Sequence, residues 1–89
     1  MLRTNFTTGN HMIDAIVTSL DRDNLAATPC VDVDVSTLIG KKIQYLDKND
    51  NVWPGVVVSA EDPFVIIKFD KFPSGLGQGQ MIQILDTES

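Results

Sequence analysis

The run Gly75-Leu76-Gly77-Gln78-Gly79-Gln80 invites a phosphate-loop reading and could form the second half of a site whose first half is aromatic. Gln78 and Gln80 alternate with glycines, so their amides can donate hydrogen bonds to a ligand from a backbone free to bend. A phosphate-loop role does not fit. Such a loop needs a Lys-Ser/Thr pair and a following helix, whereas Met81 to Leu85 reads as a strand. Other candidates are sparse. Asp32 and Asp34 fall on one side of an alternating run and could ligate Ca²⁺ or Mg²⁺, but two carboxylates are too few for a hard cation. His11 has no second histidine or cysteine at ligand spacing, so no metal is expected. Cys30, between Pro29 and a valine run, reads as a small buried residue rather than a nucleophile. With His11 the only histidine, no nucleophile–base pair can be placed and no catalytic residue is assigned. No cofactor is expected. The single Trp and single Tyr, with four Phe, have two readings: rings packed in a core, or a cage for a cation or a peptide.

The elements that must carry these residues are short. Residues 1–9 are polar and threonine-rich and read as a loose arm ahead of one domain over 10–89. At 89 residues there is no room for a second core. Within 10–20, Ile13, Ile16, Val17 and Leu20 have the i, i+3, i+4, i+7 spacing of a helical face, with Asn10 placed to cap it and Asp14 in the first turn. The β-branched Ile16, Val17 and Thr18 support a competing strand. Asp21 to Asn24 is a charged turn. Cys30 to Val35 alternates strictly, so a half-buried strand is expected with Val31, Val33 and Val35 inward. Ser36 to Gly40 reads as a turn or a single helical turn, with Leu38 and Ile39 packing inward.

Residues 41–85 read as the core sheet. Lys42 to Leu46 alternates, and Asp47-Lys48-Asn49-Asp50-Asn51 is dense turn chemistry. Val52 to Ser59 is interrupted by Pro54-Gly55, which marks a sheet edge or a bulge. Phe64 to Phe69 is apolar on both faces, so a helix over 10–20 or a second subunit must cover its outer side. A long loop over 70–80 then leads to Met81–Leu85. The expected fold is mainly β: four to five antiparallel strands in a small barrel, with one N-terminal helix.

Four or five short strands, sharp turns and one long loop resemble the SH3-like small-barrel group, which includes Tudor and KOW modules. In that group aromatics from neighbouring strands and loops line the ligand groove. The resemblance implies Tyr45, Trp53 and Phe72 as ligand-binding candidates beside Gln78 and Gln80, with Phe64 and Phe69 in the core. The stretch Ile16 to Pro29, IVTSLDRDNLAATP, resembles the opening hairpin of flavin-binding split barrels. Val52 to Val58 with Ile82-Gln83-Ile84-Leu85 is similar to the layout of plasmid-borne type II dihydrofolate reductases, whose active strand carries Val-Gln-Ile-Tyr. Here the tyrosine of that motif is replaced by Leu85.

Twelve acidic against seven basic residues give a net charge of −5, which disfavours binding to phosphate backbones, and the basic residues do not cluster. The carboxylates are too dispersed for a DNA mimic. No apolar run approaches the ~20 residues of a membrane span, and residues 1–12 lack the apolar core of a signal peptide. With a single cysteine, these features point to the cytoplasm. The chain is therefore expected to be a non-enzymatic binding or assembly module with a protein partner or itself as partner, of the small acidic kind found in phage and mobile elements. The alternatives are a small-ligand binder or enzyme with a pocket between subunits, and a nucleic-acid-binding accessory protein.

Overall fold

Ala15 and Val17 are fully buried while Met12, Asp14 and Ile16 face outward, a period of two that makes the first element a strand. The computed structural model describes residues 10–21 and 23–87. Strand β1 runs Asn10–Leu20 and β2 runs Asn24–Pro29. They are followed by β3 Lys42–Leu46, β4 Val52–Glu61, β5 Phe64–Phe69 and β6 Met81–Thr87. The six strands close into an antiparallel barrel in the order β1-β2-β5-β4-β3-β6. The expected arm over 1–9 lies outside the described residues.

The helix expected over 10–20 is a strand. The helical spacing of Ile13, Ile16, Val17 and Leu20 is real, but β1 pairs with β6 from Asn10↔Thr87 to Ile16↔Met81 and with β2 from Ala15↔Pro29 to Leu20↔Leu25. Two neighbours satisfy both edges of its backbone, whereas a helix of this length is marginal on its own. A bulge between Val17 and Ser19 resets the alternation, and the Thr18 hydroxyl donates to the Ala26 carbonyl there at 3.1 Å. Ile16–Pro29 does form a hairpin. The sheet accordingly starts well before Lys41 and, among the described residues, holds six strands rather than four or five.

The strand expected over Cys30–Val35 is absent. The Cys30 amide makes one further rung, donating to the Asp14 carbonyl at 2.8 Å. The chain then crosses from β2 to β3, which are not neighbours in the barrel. A closed sheet offers no free edge for another strand. Asp34 instead accepts from the Ser36 amide at 3.1 Å and caps a single 3₁₀ turn, Val35–Leu38. Val31 is exposed and Val35 buried, so their shared alternation does not give a shared environment. Leu38 is fully buried as expected, but Ile39 is exposed. Cys30, expected to be buried, is exposed.

Inside the barrel, Leu25, Ile43, Val57, Val65, Ile67, Ile82 and Ile84 are almost completely buried, each contributing roughly 1.5–3 kcal/mol by leaving water. Leu38 and Val35 pack into this core from the β2–β3 connection, and Leu76 from the β5–β6 loop. On β5, Val65, Ile67 and Phe69 point inward while Phe64 and Ile66 point outward. Among the described residues no helix covers that outer side. The sheet bulges at Val58 rather than at Pro54-Gly55. Pro54 sits just past the last β4–β5 pair, Gly55↔Phe69. Its carbonyl accepts from Asp70 at 3.1 Å, so its missing N–H faces the side where β5 has ended.

Candidate binding groove and outer face

The β3–β4 turn and the β5–β6 loop emerge at the same end of the barrel. Between them lies an open groove of about 360 Å³ lined by Tyr45, Asp47, Lys48, Asn49, Ser74, Gly75 and Gln80, within the size range of small-ligand sites.

The turn side is rigid because Asp47 organises it. One carboxylate oxygen accepts from the amides of Asn49 at 2.8 Å and Asn51 at 2.9 Å. The other accepts from the Asn51 side chain at 3.2 Å and the Trp53 indole N–H at 3.1 Å. The indole bond and then the Asn51 amide do most to hold this carboxyl at about 2, below its ordinary 3.8. Asp47 is thus ionised and fully bonded within the turn. Asp50 supplies the turn's positive φ of 65°, a conformation that aspartate tolerates better than most residues.

The loop side centres on Gln80. The Tyr45 hydroxyl donates to its Oε1 at 3.1 Å, and the Gly77 amide donates to the same oxygen at 3.3 Å. That leaves the Gln80 NH₂ group with no partner among the described residues. The loop is tied to β1 at its bulge. Gly79 donates to the Val17 carbonyl at 2.8 Å, Val17 donates to the Gln80 carbonyl at 2.9 Å, and the Gln78 amide donates to the Thr18 carbonyl at 2.8 Å. Gly79 has φ +85°, which its place in this tie requires.

Of the five ligand-binding candidates, Tyr45 and Gln80 meet in the groove. Trp53 pairs with Tyr45 across β3–β4 and reaches the groove only through Asp47. Phe72 packs edge-on against Phe69, ring centroids 5.8 Å apart, and does not line the groove. Gln78 is committed to Thr18. Lys48 and Asn49 line the groove too, as do Ser74, Asp47 and Gly75, and none of the five was among the candidates. The dense turn chemistry around Asp47 was the available signal for the first two, while Ser74 carried none. Asp32, Asp34 and Asp62 line a shallow pocket at the opposite end, where Asp34 also accepts from the Ser36 hydroxyl at 2.8 Å. No group of side chains able to hold a metal is present among the described residues.

The second feature is the outer face of β1, β6, β3 and β4. Pairing puts Ile16 beside Met81 and Leu46 beside Val52, and the β3–β6 register sets Leu46 level with Met81. These four apolar side chains are 39%, 47%, 45% and 56% exposed for Ile16, Met81, Leu46 and Val52. A row formed by Asp14, Gln83, Gln44 and Pro54 runs beside them, then one of Met12, Leu85, Lys42 and Val56. Among the described residues no helix is long and apolar enough to cross a membrane.

No protein-family model matches the chain, and no curated protein matches it.

Proposed function

We propose that this chain is a non-enzymatic binding or assembly module on a small acidic barrel, working by association with itself or another protein. The observation that carries this reading is the apolar row Ile16, Met81, Leu46 and Val52, which crosses four strands in contact with water. Contiguous apolar surface of this kind is characteristic of interaction sites rather than of free monomer surface. The barrel is compatible with the SH3-like group named from the strand pattern, whose members are largely binding modules. The net charge of −5 weighs against nucleic acid as the partner. Light scattering coupled to size exclusion tests the reading. Assembly predicts a mass above one chain that falls on dilution and falls further in Met81→Glu. A one-chain mass at every concentration, unchanged by Met81→Glu, argues against association with itself.

A second reading, small-ligand binding, is favoured by one specific observation. The Gln80 amide is held by Tyr45 and Gly77, and its NH₂ group, at a groove of ligand size, has no partner among the described residues. A thermal-shift screen against nucleotides, flavins and pterins separates the two. A ligand whose effect disappears in Gln80→Ala supports this reading, and no shift from any of them removes it.

A further inference from the structure

The outer face of β1, β6 and β3 is complementary to itself. Its central row holds a hydrogen-bonded amide pair, with Gln44 Nε2 donating to Gln83 Oε1 at 2.7 Å. That bond leaves the Gln83 NH₂ and the Gln44 carbonyl without partners among the described residues, one donor and one acceptor side by side. Asp14 flanks the pair on the β1 side and Lys42 on the β3 side. Both are exposed, and neither is ion-paired to another described residue; Lys41, not Lys42, bridges to Asp86 at 3.2 Å. A surface with one unpaired charge of each sign, one free donor and one free acceptor can satisfy all four against a copy of itself.

From these features we infer that a second copy of this chain covers the face, related by a two-fold axis passing over β6 between Gln83 and Leu85. The inference rests on the assembly reading and names its partner. Asp14 and Lys42 lie two strands apart, about 10 Å, and one pleat repeat apart along the strands, about 7 Å. An axis midway between them sets Asp14 of each chain against the partner's Lys42, and makes the contact isologous. On a flat lattice of those spacings the same axis brings Gln83 beside the partner's Gln44, Leu85 beside the partner's Met12 and Met81 over the partner's Pro54. Charge thus meets opposite charge, amide meets amide, and apolar side chains meet apolar side chains. A heterologous partner would have to supply this arrangement independently, whereas a second copy carries it already. The two charges fix orientation and register more than they add affinity.

Sedimentation equilibrium from about 10 µM to about 1 mM on wild type, Asp14→Lys, Lys42→Asp and the double swap tests the inference. Every substituted side chain is exposed, and circular dichroism melts confirm that each variant folds. The expected result is a wild-type dimer. Each single swap, which sets like charges together at two symmetric contacts, weakens it about tenfold or more, and the double swap restores most of the loss. A wild type that stays monomeric overturns both this inference and self-assembly. A dimer that ignores both single swaps, or a double swap no better than the singles, overturns the two-fold face and leaves assembly through another surface standing.

Discussion

Gly55 lies against the backbone of Lys68 so closely that a Cβ on it would stand 2.7 Å from the Lys68 carbonyl oxygen. The same atom would meet the Ile43 Cδ1 and the Phe69 Cα at 3.0 Å. Here β4 is clasped between β3 and β5, with Ile43↔Gly55 on one side and Gly55↔Phe69 on the other. Gly55→Ala is expected to lower stability by roughly 2–3 kcal/mol, because backbone rather than a flexible side chain must move. Urea unfolding of the variant measures it, and a change below about 0.5 kcal/mol contradicts the close approach.

The inward and outward sets on β5 make opposite predictions for adjacent residues. Ile67 is fully buried, so Ile67→Ala should cost about 2–5 kcal/mol. Ile66 faces outward beside Ala26 and Ser59, and Ile66→Thr should cost less than about 1 kcal/mol. Equal costs at the two sites would mean that the register is wrong by one residue.

Asp47 ties acid sensitivity to the β3–β4 turn. Its carboxyl titrates at about 2 in the folded chain against an ordinary 3.8, chiefly through the Trp53 indole and the Asn51 amide. A depressed folded value contributes stability that is complete above the ordinary value and is lost as pH falls toward the folded one. The window is therefore about pH 4 down to pH 2. Asp47→Asn should flatten the fall of the urea midpoint across that window. An unchanged profile would show that this carboxylate is not responsible.

Tyr45 is only 8% exposed, and its hydroxyl restrains Gln80. Tyr45→Phe should cost about 1 kcal/mol and increase the mobility of the Gln80 side-chain amide in NMR relaxation. If that amide is equally rigid without the hydroxyl, the bond does not organise the groove.

The strands from Lys42 onward could be read from the sequence because alternation and turn residues agree there: Ile43 and Tyr45 opposed to Lys42 and Gln44, then the Asp47–Asn51 turn. On Phe64–Phe69, apolar on both faces, the inward side was not legible, and Phe64, expected in the core with Phe69, faces outward. The first third of the barrel was harder to read because local pattern and tertiary pairing disagree. Ile13, Ile16, Val17 and Leu20 fit a helix as well as a strand, and only pairing with β6, some seventy residues away, decides between them. Val31, Val33 and Val35 carry a strand pattern with no sheet edge to join. Tyr45 and Gln80 were legible as candidates from ring type and the glycine-rich loop. Their meeting depends on where two connections emerge from a closed barrel, which no local signal encodes. The outer face was legible only as a question, the uncovered side of Phe64–Phe69, and the broader apolar row turned out to cross β1, β6, β3 and β4.

Solvent access to the outer methyl groups tests association through that face most directly. With a soluble paramagnetic agent and methyl NMR, Met12, Ile16, Leu46 and Met81 are expected to be broadened in dilute solution and protected as concentration rises. Val58, exposed but outside the β1–β6–β3 rows, should stay equally broadened throughout. Broadening of all five that does not change with concentration would show that this face stays open to solvent and does not associate.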